Sequence, residues 1–240
     1  MDKNLRDYYE KTAAEYDQLH SYEAHVEHAR AISTAVEQID RGSVTSALDI
    51  GCGTGLSLNH LKSCLTTAGS AAPSLNGVDM TPGLIDRARE RLPEADLQVC
   101  DGAELPFDDG SFDLVMIAGV LHHVPAPKRV ISEAFRVSAK YILISDHNKY
   151  AFGGNITKRV RMILFCLGLL NIFTYIKQGF NKQGYSEDDG WWYPYSVLDD
   201  YDIISENTSD LLIYPTRPPV KESIKNMIYA QSHLAFLCKK

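Results

Sequence analysis

The sequence predicts an α/β fold, a doubly wound Rossmann-like sheet of about seven mostly parallel strands. Three observations lead there. Short apolar runs alternate with segments of helical periodicity between residues 46 and 145. Runs such as LVMIA and YILI lack polar alternation, as strands buried on both faces do. A glycine-rich turn, Gly51-Cys52-Gly53-Thr54-Gly55, follows the first apolar run and precedes a helical one.

Each element has its own local reason. Leu5 to Ile39 reads as two helices split near His20–Ser21, because Ala13, Ala14 and Tyr16, then Val26, Ala29, Ala31 and Ile32, stand at helical spacing. Ser46 to Ile50 is the first strand and Leu56 to Leu65 the helix after it. Leu75 to Asp79 is the second strand. Thr81-Pro82 then opens a helix, with threonine suited to the N-cap and proline to the first turn, and Pro93 ends it. Leu97 to Cys100 and Phe112 to Ala118 are the third and fourth strands. Lys128 to Val137 is a helix and Tyr141 to Ser145 the fifth strand. Beyond Asp146 the alternation stops. Tyr150 to Phe180 reads as helical, with a basic cluster at Lys158, Arg159 and Arg161, and an aromatic, acidic stretch runs from Tyr185 to Asp202. Ile203 to Asn207 and His233 to Cys238 read as closing strands. One domain results: N-terminal cap helices (1–40), core (41–149), insertion (150–195) and closing strands (196–240).

Composition narrows the function classes. Of 240 residues, 45% are apolar and 23% charged, which suits a folded globular chain. The formal net charge of -7 gives no general basic field, so a nucleic-acid partner is not expected. Five cysteines, an odd number without CxxC spacing, favour reduced thiols in a cytoplasmic setting over a disulfide framework or structural zinc. The first residues, MDKNLRDYYEKTAAEYD, lack the apolar stretch of a signal peptide. Met162 to Ile176 is strongly apolar but shorter than the roughly 20 residues that cross a bilayer. It reads as a buried or surface-docking helix, buried being the default. A lid, a dimer contact, or a peripheral membrane contact through 158–176 are the alternatives.

Three motifs follow the strands, where ligands of such sheets bind. In Asp49-Ile50-Gly51-Cys52-Gly53-Thr54-Gly55 the third glycine comes one residue earlier than in G-x-G-x-x-G, and Asp49 precedes the loop. A carboxylate there repels a pyrophosphate and suits a cationic ligand. Asp79, in Gly77-Val78-Asp79-Met80, can accept two hydrogen bonds from a ribose diol. Asp101, in DGAELPF, can accept from an exocyclic adenine amine.

DIGCGTG, GVDM, DGAELPF and FDLVMIAGVLHHV, in this order and spacing, resemble the class I S-adenosylmethionine-dependent methyltransferases, in particular the methyltransferase type 11 group. The resemblance covers about Tyr8 to Asp146. It implies a seven-stranded sheet with the last strand antiparallel, and S-adenosyl-L-methionine as cofactor. It implies that Gly51, Gly53 and Gly55 approach the methionine part, that Asp79 holds the ribose, and that Asp101, Gly102 and Ala103 hold the adenine. Asp49, Cys52, Met80 and Ala118 join this cofactor set. YYEKTAAEYD resembles the family's cap helix, whose tyrosines, here Tyr8 and Tyr16, close over the cofactor.

A hydroxyl acceptor needs a base. His122, His123, Asp146 and His147 follow strands four and five, and His147 is preferred, with Asp146 or Asn148 orienting it. Packing, or support of the cofactor's methionine end, is the structural alternative for His122 and His123, and a helix cap or turn for Asp146-His147-Asn148. The stretch Glu187 to Ser196 reads as an aromatic wall for a sugar, or as a plug over the sheet. No ligand spacing for a metal is recognised. The expected activity is methyl transfer to a small or medium-sized acceptor, a hydroxyl of a sugar, lipid-linked glycan or other metabolite. N- or C-transfer, cofactor binding without turnover, and a nicotinamide oxidoreductase are the rivals.

Overall fold

The computed structural model describes residues 3–19, 22–66, 72–151, 154–187, 190–217 and 232–240. Its centre is a seven-stranded sheet. In chain order the strands are β1 (Ser46–Ile50), β2 (Ser74–Asp79), β3 (Asp96–Val99), β4 (Phe112–Ala118), β5 (Ser138–His147), β8 (Asp210–Pro215) and β9 (His233–Lys239). β6 (Gly184–Ser186) and β7 (Gly190–Trp192) form a separate two-stranded hairpin. The spatial order is β3-β2-β1-β4-β5-β9-β8. The first five strands pair in parallel, and β9 runs antiparallel to both β5 and β8. The order reverses at β1, so the crevice at the carboxyl ends of β1 and β4 is the topological switch point.

Side chains alternate between the two faces. Ala47, Leu114, Met116, Leu143, Ala235 and Leu237 face one helical layer: α3 (Tyr22–Gln38), α4 (Leu56–Leu65) and α5 (Pro82–Arg91). Leu48, Ile50, Val115, Ile117, Ile142, Ile144 and Phe236 face the other, with α6 (Pro127–Val137) and α9 (Tyr201–Glu206). Both faces are therefore dry, which is why the strand sequences lack polar alternation.

Three differences from the sequence reading have physical causes. The cap is three helices, with α1 (Lys3–Thr12), α2 (Tyr16–Leu19) and α3; residues 20–21, where the sequence divides it, lie outside the described residues. Ile203 to Asn207 is not a strand. Ser196 caps the turn Val197–Asp200 through a reciprocal pair with Asp199, and that turn starts α9, so the strand begins only at Asp210. Tyr150 to Phe180 is a short turn (Lys149–Ala151) followed by a hairpin of α7 (Asn155–Cys166) and α8 (Leu170–Lys177). This hairpin is exposed, not buried: Leu170 and Thr174 are the buried side chains among its described residues. No described helix is long and apolar enough to cross a membrane.

Candidate active site

Two cavities open at the carboxyl edge of the sheet. They share the lining residues Tyr16, Gly51, Gly53, Ala118, Gly119 and His123. One, of about 100 Å³, passes Asp79, Met80, Asp101 and Gly102 over a floor that includes Ile50, Val78, Val124 and Val130. The other, of about 90 Å³, is walled by His25, His28, His122, His147 and His233.

The glycine loop is bent by contacts on both sides. Gly51 and Cys52 both donate their N–H to the Val78 carbonyl, at 2.7 and 3.0 Å. Gly51 has φ +76°, and a Cβ there would lie 2.3 Å from Val120 Cγ2. Close approach of the β4 loop therefore requires glycine. Gly55, φ +79°, faces Ala88 and Leu92 of the α5 region instead of the cavity. Its role is helix packing. Cys52 is also turned away from the cavity lined by Asp79 and Asp101: a Cβ on Gly77 would meet its Sγ at 2.9 Å. Burial, with the charges of Asp49 and Asp79, pushes its thiol well above the usual range.

Asp79 latches the loop. Its Oδ2 accepts from Gly53 N–H at 3.1 Å and its Oδ1 from Thr81 N–H at 2.8 Å. Burial raises its carboxyl above the usual value, and these amide bonds offset part of the rise. A carboxylate has about four lone-pair sites, so capacity remains for a diol. Asp49 is 1% exposed, and neither of its carboxylate oxygens has a hydrogen-bond partner. Burial, then the charge of Asp79, lifts it to about 8. Asp49 is thus protonated near neutral pH, and a cationic ligand beside it would favour its ionised form. Asp101 is exposed, its Oδ1 accepting from Ala103 N–H at 2.9 Å. Gly102 fits under Ile50, where a Cβ would come within 2.6 Å of Cγ2.

Tyr16 stands over Gly53, its ring 3.9 Å from where a Cβ would be. The second cap tyrosine at the site is Tyr9, not Tyr8. Tyr9 lines the cavity and its hydroxyl is 2.9 Å from His123 Nε2. Tyr8 turns outward, donates to the Glu187 carbonyl at 2.7 Å, and covers Gly190. A second clamp was not apparent from the sequence: Thr54 Oγ1 donates to Asp17 Oδ1 at 2.6 Å, and Arg91 bonds both residues. It ties α2 and α5 to the glycine loop.

The histidine cavity centres on a buried pair. Asp146 is fully buried; its Oδ1 lies 2.7 Å from His122 Nδ1. Leu121 N–H donates to Oδ2 and His147 N–H to Oδ1, each at 2.7 Å. Burial alone would raise this carboxyl, but the His122 charge and hydrogen bond, with His147, hold it well below the carboxylate range. An ionised carboxylate only accepts, so His122 Nδ1 carries a proton, and in the neutral ring Nε2 is then the acceptor. Asp146 thus orients His122 through its ring, and meets His147 through its backbone N–H. The His122 and His147 rings stack at 3.7 Å with an 18° tilt. One oxygen of Asp146 and one nitrogen from each ring lie within 4.8 Å of one another. In near-parallel rings the in-plane lone pairs do not converge on one ion, and His122 Nδ1 is already committed to Asp146. His233 Nδ1 is 2.8 Å from Glu27 Oε2, and His28 Nδ1 is 2.9 Å from Ser145 Oγ. Burial and the neighbouring His233 push His28 down to about 4. His28, His233 and Glu27 carry no motif, and only the fold brings them here; Tyr9 stands in the cap motif, but the fold decides that it and not Tyr8 faces inward.

The aromatic stretch does not wall either cavity. The Trp191 ring packs on Tyr185 at 5.2 Å, and its carbonyl is 2.8 Å from His123 Nδ1. Trp192 covers Gly184, where a Cβ would be 2.4 Å from its ring. Asp188 and Asp189 lie outside the described residues.

Comparison with known proteins agrees with this geometry. The sequence profile of a methyltransferase domain family matches residues 48–140. A phosphatidylethanolamine N-methyltransferase of Cereibacter sphaeroides is 35% identical over 108 residues, 42% of this chain and 49% of that protein. A demethylmenaquinone methyltransferase of Shouchella clausii is 28% identical over 142 residues, 57% of this chain and 59% of that protein. The chain thus spans about half the length of these curated relatives. Among solved structures, a Thermotoga maritima protein described as a possible histamine N-methyltransferase superposes with a TM-score of 0.62 at 18% identity, covering 98% of this chain and 99% of that one. Magnesium protoporphyrin IX methyltransferase from Synechocystis gives 0.61 at 17% identity, covering 98% and 97%. These structures share the fold. With four motifs in register, the reversal of strand order at the glycine loop and the matched profile, residues 48–140 belong to the methyltransferase domain family, the class I S-adenosylmethionine-dependent methyltransferases of type 11.

Proposed function

We propose that the chain transfers a methyl group from S-adenosylmethionine to a hydroxyl of a small or medium-sized acceptor, with lipid-linked sugars within that class. The observation that carries the hydroxyl is the buried His122–Asp146 pair, on a cavity that shares the glycine loop with the nucleoside side. The residues fit the cofactor. Asp79 and Asp101 offer acceptors for a ribose and an adenine amine, Ile50, Val78 and Val130 offer an apolar bed, and the buried carboxylates of Asp49 and Asp79 suit a cation. When bound, the cofactor supplies an electrophilic methyl on a sulfonium.

The protein's own work is alignment, exclusion of water and removal of a proton. Tyr9 and Tyr16 cover the loop from the cap side. His122 Nε2 accepts the acceptor's hydroxyl proton, and Asp146 stabilises the imidazolium that forms. His147, stacked on His122, shapes the wall. The curated relatives' names, which include a phospholipid and a menaquinone precursor, support an acceptor with an apolar body. The test is a transfer screen with labelled S-adenosylmethionine against lipid-linked and soluble metabolite extracts, with mass spectrometry of the product. A product methylated on oxygen, lost with His122→Ala, supports the reading. A product methylated on nitrogen, with turnover unchanged in His122→Ala, replaces it.

A further inference from the structure

The α7–α8 hairpin differs from the rest of the surface in two independent ways. First, eleven of the sixteen large apolar side chains exposed among the described residues lie between 156 and 180. Ile156 is 80% exposed, Ile163 60% and Leu167 63%, and the aromatic rings of Phe165, Phe173 and Tyr175 are exposed beside them. A single exposed apolar residue means little, but a contiguous set marks a contact surface. Second, residues 147–186 contain no Asp or Glu and six basic residues, whereas the whole chain carries -7. The hairpin is a basic, apolar projection on an acidic protein.

Its root is fixed. Arg161 Nη1 donates to the Lys149 carbonyl at 2.7 Å, the Tyr150 and Phe165 rings stand 4.9 Å apart, and Lys149 Nζ pairs with Asp199 at 2.6 Å. Lys149 lies two residues beyond His147, so the hairpin is anchored at the same sheet edge as the histidine cavity. Arg159 and Lys177 are exposed on it and Lys182 just beyond it, with Lys158 half-buried.

We infer that this hairpin docks on an anionic lipid surface, with its apolar side chains among the headgroups and acyl chains and its basic residues on the phosphates. Helices of 12 and 8 residues are too short to span a bilayer but suit its interface. Charge decides between a bilayer and a second copy of the chain. Two hairpins packed together would crowd basic residues around one apolar contact, whereas an anionic surface neutralises them. Docking would hold the acceptor cavity's edge at the membrane, where a lipid-linked molecule resides.

The experiment needs neither cofactor nor acceptor, so it is decided separately from the proposed reaction. The full chain is sedimented with vesicles of phosphatidylcholine mixed with phosphatidylglycerol, and with phosphatidylcholine alone. Cys166, exposed at the end of α7 while the other cysteines are buried or half-buried, carries a solvatochromic maleimide. Expected are binding to the mixed vesicles, weakening in high salt, and a blue shift of the Cys166 dye. Lys158→Glu with Arg159→Glu should weaken binding about tenfold or more, and Ile163→Asp with Phe173→Asp should abolish it. No binding to the mixed vesicles overturns the proposal, as does binding with an unshifted dye. A dye shift that follows protein concentration without lipid assigns the surface to a second copy instead.

Discussion

The carboxylate of Asp146, at the end of β5, and the imidazole of His122, 2.7 Å apart and both buried, fix a proton of His122 on Nδ1. The first prediction follows. His122→Ala should lower turnover about 100- to 10,000-fold at saturating cofactor, the range of general-base catalysis, and His147→Ala should cost about tenfold or less. Asp146→Asn tests positioning: without its counter-charge the imidazolium is less favoured, so the acidic limb of the pH–turnover profile should move to lower pH. Equal losses in His122→Ala and His147→Ala, with an unmoved limb, would discard the assignment.

Asp79 does two jobs, and one substitution should reveal both. Asp79→Ala removes the acceptor proposed for the ribose and also the partner of Gly53 N–H and Thr81 N–H. Cofactor affinity, read by calorimetry, should fall by about 1.5–3 kcal/mol. Amide exchange at Gly53 and Thr81 should quicken in the cofactor-free protein. Unchanged affinity would remove Asp79 from the cofactor set.

Trp191 connects the insertion to the cap. Its carbonyl holds His123, whose other nitrogen meets Tyr9, and its side chain packs against the cluster of Leu5, Tyr9, Ala13 and Leu84. The sequence alone leaves this stretch as an acceptor wall or a plug over the sheet; the structure links it, through His123 and Tyr9, to the cavity that Asp79 lines. Trp191→Ala should therefore raise the KM for cofactor several-fold, roughly the 1 kcal/mol of a lost aromatic contact. A change confined to the acceptor's KM would return Trp191 to the acceptor side.

The parts legible in the sequence are those with short-range causes. β1 and β4 coincide with SALDI and FDLVMIA because fully buried strands must be continuously apolar. Asp79 and the glycine loop are legible because strand ends deliver them to the switch point. Tyr8 and Tyr9 are adjacent on α1, and nothing local tells which faces inward; that is set by β7, which is distant in sequence. The Asp146–His122 pair spans 24 positions and needs β4 and β5 side by side, and Glu27–His233 spans the chain. Burial of 162–176 fails as an expectation because composition reports apolarity, not the partner that covers it.

Glu27 gives an acid-stability prediction. Burial would raise its carboxyl, but His233, Thr216 and Arg217 outweigh that and hold it at about 2. A depressed carboxyl contributes stability that is present above its unfolded value and lost as pH falls through the folded one. Glu27→Gln should thus cost about 2–3 kcal/mol near neutral pH. The gap between the urea midpoints of the two proteins should close as pH falls from about 4.5 toward 2. A gap independent of pH would mean that Glu27 contributes through packing alone.

Asp49 should behave in the opposite sense. Its folded value, about 8, lies above the ordinary 3.8, so the native state holds a proton that the unfolded chain has released. Stability from this group is complete below the unfolded value and is lost as pH rises toward the folded one. Asp49→Asn removes the titration while keeping the shape. Against wild type, the melting temperature of the cofactor-free variant should therefore improve steadily between about pH 4 and 8. Cofactor affinity should move the other way, since the variant has lost the carboxylate that favours a cation beneath the glycine loop. Calorimetry at about pH 8 should show binding weakened about tenfold, the equivalent of about 1.4 kcal/mol. Scanning fluorimetry across the same pH range checks the stability half. If the variant's advantage is flat with pH, Asp49 is not protonated in the native state. If the advantage grows but affinity holds, Asp49 shapes the loop and its charge plays no part in the site.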